Sequence, residues 1–194
     1  MKKTYVVAAV GTWNKECFER CTATLAGDWH FAASPEQLNS LLETIRPRYI
    51  FFPHWRWIVP TNLVDQYECI CFHMTDVPYG RGGSPLQNLI VRGHKKTKLT
   101  ALRMTDELDA GPVYLKMPLS LSGSALDIYR RASDLTWQMI QRLVKDELNP
   151  IPQTGEPVFF KRRTPEQSEI PHGLSLEQIY DYIRMLDAPG YPKA

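Results

Sequence analysis

Apolar positions in the first part of the chain change repeatedly between an unbroken or alternating pattern and a helical one. That change predicts strands alternating with helices. Thr4 to Val10 is a continuous apolar, β-branched run, as expected of a strand covered on both faces. Asn14 to Leu25 has helical spacing, and Trp29 to Ala32 is a short strand candidate. Ser34-Pro35-Glu36-Gln37 then opens a helix, with an N-cap Ser, a Pro at the first helical position and a Gln placed to close a capping box. Tyr49 to Phe52 is a further buried-strand run, Asn62 to Gln66 adds a helical turn, and Glu68 to Met74 is another strand. The alternation predicts an α/β fold with a mostly parallel central sheet and helices on both faces.

Further along, Leu86 to Val91 reads as a short helix, Lys98 to Met104 and Val113 to Met117 as strands, and Ser124 to Leu148 as a long amphipathic helix stopped by Asn149-Pro150. Seven prolines lie from position 150 onward. This part reads as an extension wrapped on the core, with a strand candidate at Val158 to Lys161 and a helix opened by Ser175 and Gln178. The expected division is a domain over 1–150 and an extension over 151–194.

With 194 residues, 43% hydrophobic and 23% charged, the chain has material for a sizeable core. A net charge of +2 gives no reason to expect a nucleic-acid groove or an anionic membrane as partner. No apolar run approaches the ~20 residues of a membrane span, and the opening Met-Lys-Lys-Thr with Tyr5 to Val10 is too brief for a signal peptide. A cytoplasmic location is expected. The cysteines fall at 17, 21, 69 and 71, and neither pair is a Cys-x-x-Cys. One pair is a helical turn apart and the other alternates along a strand, so reduced core thiols are expected rather than a zinc site, and no metal.

Parallel sheets bind ligands beyond the carboxyl ends of their strands, which directs attention to the loops after Val10, Phe52 and Met74. The first, Gly11-Thr12-Trp13-Asn14, has a single glycine and lacks the pattern that brings backbone to a pyrophosphate, so a dinucleotide is not expected. The second, Pro53 to Pro60, is dense in flat side chains, and the third, Thr75 to Pro85, is rich in glycine. Cys71 and His73 share one face of their strand, with Thr75 following. His73 is placed as an acid or base, or else as a packing histidine. Asp109, in Thr105-Asp106-Glu107-Leu108-Asp109-Ala110-Gly111-Pro112, belongs to a tight loop between strands whose plain reading is a solvated acidic turn. Cys71 and His73 are also a candidate nucleophile and base for a thiol hydrolase or acyltransferase.

A longer pattern runs through these residues. His73 is followed by Thr75, Pro78, Arg81-Gly82 and Pro85, then by Gly93, Thr97 and Thr100, and Leu108-Asp109-Ala110-Gly111 places Asp109 36 positions after His73. In kind and spacing the segment resembles the 10-formyltetrahydrofolate-dependent N-formyltransferases, a group spanning glycinamide-ribonucleotide, methionyl-tRNA and amino-sugar enzymes. More loosely, Phe51 to Pro60 is similar to the family's pterin loop. Phe159 to Glu166 with Ile183-Arg184-Met185-Leu186 is similar to the tail of its amino-sugar members.

The resemblance implies a Rossmann-like formyltransferase fold and 10-formyltetrahydrofolate as formyl donor. It assigns His73 as acid/base, Asp109 as its partner, and Trp55, Arg56, Trp57, Met104, Thr105, Asp106 and Leu108 as walls for the pterin. Gly11, Thr12, Trp13, Asn14, Thr75, Arg81, Gly82 and Gln87 become the expected acceptor contacts. Where the family carries an asparagine that donates to the developing oxyanion, this chain has Cys71. A thiol donates weakly, and losing one such donor elsewhere costs about 2.7–4 kcal/mol. A tRNA-directed member should carry a further RNA-binding domain, whereas this chain stops at Ala194. The first loop also lacks the glycine- and serine-rich character that holds a ribonucleotide phosphate. The expected acceptor is therefore the amine of an amino sugar, nucleotide-linked or a nonulosonic-acid precursor. A non-sugar amine, or a folate-binding relic without activity, is the alternative. The expected partner is a small molecule, without nucleic acid or membrane, and a homodimer is left open.

Overall fold

The computed structural model describes residues 2–194. The first apolar run forms β1 (Thr4–Ala8), followed by α1 (Thr12–Thr22), β2 (Asp28–Ala32), α2 (Pro35–Thr44), β3 (Tyr49–Phe52), α3 (Thr61–Gln66) and β4 (Cys69–His73). These strands pair parallel in the order β2-β1-β3-β4. Two longer strands, β6 (Lys96–Arg103) and β7 (Val113–Ser120), extend the sheet, each antiparallel to its predecessor. Its six-strand order is β2-β1-β3-β4-β6-β7.

One face of this sheet is covered by α1 and by α5 (Ala125–Asp146), through a cluster that includes Tyr5, Val7, Phe51, Ile70, Phe72, Ile128 and Ile140. The other packs on α2 and α3 through Val6, Ala8, Ile50, Phe52, Leu38 and Leu63. The alternation inside β1 and β3 thus feeds two cores at once, which is why Tyr5 to Ala8 and Tyr49 to Phe52 carry only apolar and aromatic side chains.

Local signals fix the helix starts. Ser34 Oγ accepts from Gln37 N (3.3 Å), while Gln37 Oε1 accepts from Ala33 N (2.8 Å), one residue ahead of the expected box. Ser124 and Asp127 cap α5 reciprocally, as Ser175 and Gln178 cap α6 (Leu176–Arg184). α1 starts two residues earlier than its periodicity indicates, so Trp13 and Asn14 lie inside the helix.

The glycine-rich stretch after β4, expected as a loop, contains β5 (Tyr79–Gly82), which is followed by α4 (Pro85–Val91). β5 pairs parallel with β8 (Val158–Phe160) from the extension, forming a second, two-stranded sheet. Phe160, Met185, Leu186 and Ala188 of the extension are buried in the larger cluster. Arg184 is buried too, ion-paired to Asp181 (2.6 Å) and donating to Leu121 O and Gly123 O. Among the described residues no helix is long and apolar enough to cross a membrane.

Candidate active site

His73 ends β4 on the same face as Cys69 and Cys71. Its Nε2 lies 2.7 Å from the Gly80 carbonyl oxygen. A carbonyl only accepts, so Nε2 carries a proton and Nδ1 is the nitrogen left free. Nδ1 faces Asp109 Oδ1 at 3.6 Å, with the two side chains 9% and 11% exposed. At that distance a neutral Nδ1 and a carboxylate are merely neighbours, whereas a proton arriving on Nδ1 makes them a close ion pair in a site shielded from water.

Asp109 reaches this position by an indirect route. β6 runs antiparallel to β4, so its carboxyl end lies beside the start of β4, where Met104 N–H donates to Cys69 O (2.8 Å). The loop after β6 must therefore return along the Cys69–Cys71–His73 face to bring Asp109 to His73. Two backbone features make the return possible. Asp109 adopts φ 53°, the left-handed region that a non-glycine residue enters at a cost. Gly111 passes so close to the Arg103 carbonyl that a Cβ there would collide with its oxygen.

The strained turn is held from three sides. Gly82 N–H of β5 donates to Asp109 Oδ2 (2.9 Å). Gln153 Nε2 donates to Asp109 O and Gly111 O, each at 2.8 Å, and Gln153 Oε1 accepts from Arg81 Nε (3.1 Å) and Nη2 (2.9 Å). Arg81 Nη1 also meets Glu107 Oε1 at 3.3 Å. Behind His73, Thr75 Oγ1 donates to Gly80 O and Thr100 Oγ1 to Thr75 O. Burial works against the Asp76 carboxylate in the next turn. The Lys116 and Lys98 ammoniums outweigh it and hold its pKa below the usual value. Burial first, and the Asp109 carboxylate second, push the Cys71 thiol well above 9.

The loop after β3 carries two indole rings. Trp55 and Trp57 meet edge to face at 4.8 Å, Trp55 packs edge-on against Phe52, and Trp57 is 44% exposed. Arg56 lies over the Tyr191 ring at 5.8 Å. Met104 packs with Trp55 and Cys71 against the smaller core, while Thr105, Asp106 and Leu108 are exposed. Accessible indole faces are chemically suited to a flat heteroaromatic ring.

Other expected residues stand elsewhere. Trp13 and Asn14 are buried: the Trp13 ring stacks on Tyr129 at 5.6 Å, and Asn14 bonds Val10 O and Ser133 Oγ. Gln87 is buried against Tyr129 Oη and Met185 O, and Thr75 is buried between Gly80 and Thr100. Asn14, Thr75 and Gln87 thus turn polar groups to internal partners, and Trp13 is packed in the core. Gly11 is half-buried and Thr12 exposed. Arg81 and Gly82 are beside the pair, engaged in holding the Asp109 turn. Sequence reasoning missed Gly80, Glu107 and Gln153. No local motif marks Gln153, because its partners lie 42 and more positions away.

No group of three or more His, Cys, Asp or Glu side chains able to hold a metal occurs among the described residues. The Cys17 and Cys21 sulfurs lie 3.8 Å apart on α1, while Cys69 and Cys71 are on β4.

Comparison with known proteins adds to this geometry. Residues 20–144 match the family described as Formyl transferase, and residues 165–194 match the C-terminal domain of methionyl-tRNA formyltransferase. Methionyl-tRNA formyltransferases of Bacillus thuringiensis (strain Al Hakam) and Bacillus cereus (strain B4264) are 30% identical over 152 residues, 74% of this chain and 48% of theirs. The chain thus spans about half the length of the curated relatives it matches. Among solved structures, a methionyl-tRNA formyltransferase from Clostridium thermocellum superposes with TM-score 0.94 at 42% identity, covering 98% of this chain and 86% of that one. A 4-N formyltransferase from Francisella tularensis (TM-score 0.75, 18% identity, 99% and 91% covered) shares the fold. So does HypX from Aquifex aeolicus in complex with tetrahydrofolic acid (0.77, 14%, 97% and 35%).

Proposed function

The chain belongs to the formyl transferase family, and from that premise we propose that it moves a formyl group from 10-formyltetrahydrofolate to the amine of an amino sugar. The observation that carries the reading is the buried His73–Asp109 pair, held by a turn that costs backbone strain. Strain of this kind persists where the surroundings over-determine it, as they do at catalytic centres.

Bound donor supplies a formyl carbon open to attack by an amine. Trp55 and Trp57 offer ring faces to its flat part, and Thr105 to Leu108 are exposed. The attacking amine must shed a proton as it bonds, and His73 Nδ1 is the atom able to take it. Asp109 Oδ1 stabilises the resulting imidazolium, and the Gly80 carbonyl keeps the other proton on Nε2. Passing the proton on to the departing nitrogen returns His73 to its starting form.

The same geometry disfavours a thiol hydrolase. A nucleophilic cysteine needs a lowered pKa, and here burial and Asp109 act in the opposite direction on Cys71. A second acceptor, methionyl-tRNA, is favoured by one observation: the Clostridium thermocellum protein, 42% identical and of similar extent, is described by that activity.

The test follows tetrahydrofolate release from 10-formyltetrahydrofolate with a panel of amino-sugar nucleotides and, separately, with charged methionyl-tRNA. Turnover with a sugar amine supports the reading, and turnover with the tRNA alone replaces it by the second. His73→Ala and Asp109→Asn should each lower kcat by about 100- to 10,000-fold. Near-normal turnover in either variant would end the mechanism.

A further inference from the structure

The extension contributes one side chain whose whole hydrogen-bonding capacity is directed at the centre. Gln153 Nε2 gives both its protons to the carbonyls of Asp109 and Gly111, and its Oε1 receives two guanidinium protons of Arg81. These bonds join three separate pieces of chain: the turn after β6, β5, and the segment leading to β8. The turn is the one that needs support, since Asp109 sits at φ 53° and Gly111 is pressed on the Arg103 carbonyl. Gly82 N–H, one residue beyond Arg81, fixes the Asp109 carboxylate itself.

We propose that Gln153 is a positioning residue that sets the His73–Asp109 distance by clamping the Asp109 backbone to β5, an inference that rests on the formyl-transfer reading of that pair. The clamp works through geometry alone. Without the two donated bonds, the turn relaxes toward an unstrained φ. The Asp109 carboxylate then swings from His73 Nδ1, and the proton-holding pair separates while both residues remain present. A displacement of about 1 Å in such an arrangement costs up to about 100-fold in rate.

Two full-length variants test this. Gln153→Met keeps length and volume but donates nothing, and Gln153→Glu keeps the acceptor for Arg81 while setting a carboxylate against two carbonyls. Both should lower kcat by about 10- to 100-fold and leave KM for the donor nearly unchanged. Both should move the His73 imidazole NMR resonances in the direction produced by Asp109→Asn. In the Asp109→Asn background, Gln153→Met should cost little more, since its effect passes through Asp109. Equal cost in both backgrounds, a loss confined to KM, or unchanged His73 resonances in a folded variant would overturn the proposal. Should both variants unfold, wild-type protein decides: the Gln153 side-chain amide signals must shift in step with His73 as pH is varied, and fixed signals refute the clamp. If the wild-type chain transfers formyl to no acceptor while these resonance shifts occur, the functional reading falls and the positioning role stands.

Discussion

Cys71 shows how one side chain is judged by its surroundings. Its thiol remains protonated at neutral pH, because burial and the Asp109 carboxylate both oppose the thiolate. Alkylation by iodoacetamide at pH 8 should be much slower than for an exposed cysteine. Cys71→Ala should keep kcat within about 10-fold, and Cys71→Asn, which restores an amide donor on this face, should equal or exceed the parent; steady-state assays decide both. His54 makes a prediction about stability. It is wedged edge-on between Trp13 and Tyr129, its Nε2 has no hydrogen-bond partner among the described residues, and burial, with Arg56 adding to it, lowers its pKa from 6.5 to about 4. The unfolded chain therefore binds a proton at His54 between pH 6.5 and about 4 that the folded chain refuses. This contribution is complete above 6.5 and is lost as pH falls toward 4, by at most about 3 kcal/mol. Urea midpoints should fall across that span, and His54→Phe should flatten the slope. Type and spacing single out His73 and Asp109, which the fold sets side by side, but give no sign of the internal bonds that Asn14, Thr75 and Gln87 make. Whether a polar side chain faces a ligand or a buried partner depends on neighbours from α5 and the tail, which no local pattern carries.

At the level of elements, the turn between β6 and β7 is the most exacting. Gly111→Ala would drive a methyl group into the Arg103 carbonyl. We expect a loss near the top of the common range, about 3 kcal/mol, readable in thermal melts, together with lost turnover as Asp109 shifts. At the opposite end of the scale, Ser124→Ala removes one half of the α5 capping box and should cost about 1 kcal/mol without affecting kcat. Most strands and helices could be read from the sequence because each carries its own period and cap. β5 could not. Tyr79-Gly80-Arg81-Gly82 has the composition of a loop, and becomes a strand only because β8 arrives from far along the chain to pair with it.

For the whole molecule, the extension and the preceding part form one body. Phe160, Met185, Leu186 and Ala188 fill the same cluster as β1 and α5, so cutting the chain after 150 would uncover a large apolar area. The 1–150 fragment should bind a hydrophobic dye and melt without a cooperative transition, and dye fluorescence with calorimetry would check it. The parallel pairing of β5 with β8 carries a further consequence. Tyr79 and Val158 meet across the chain's helices and hairpin, and closing so long a loop costs on the order of 4 kcal/mol in chain entropy, returned only when the later packing forms. Synthesis proceeds from the amino end, so a growing chain carries both His73 and Asp109 well before β8 and Gln153 exist to hold them. Order around His73 and Asp109 therefore arrives only once residues 153–160 have been made, and a growing chain keeps the two slack until then.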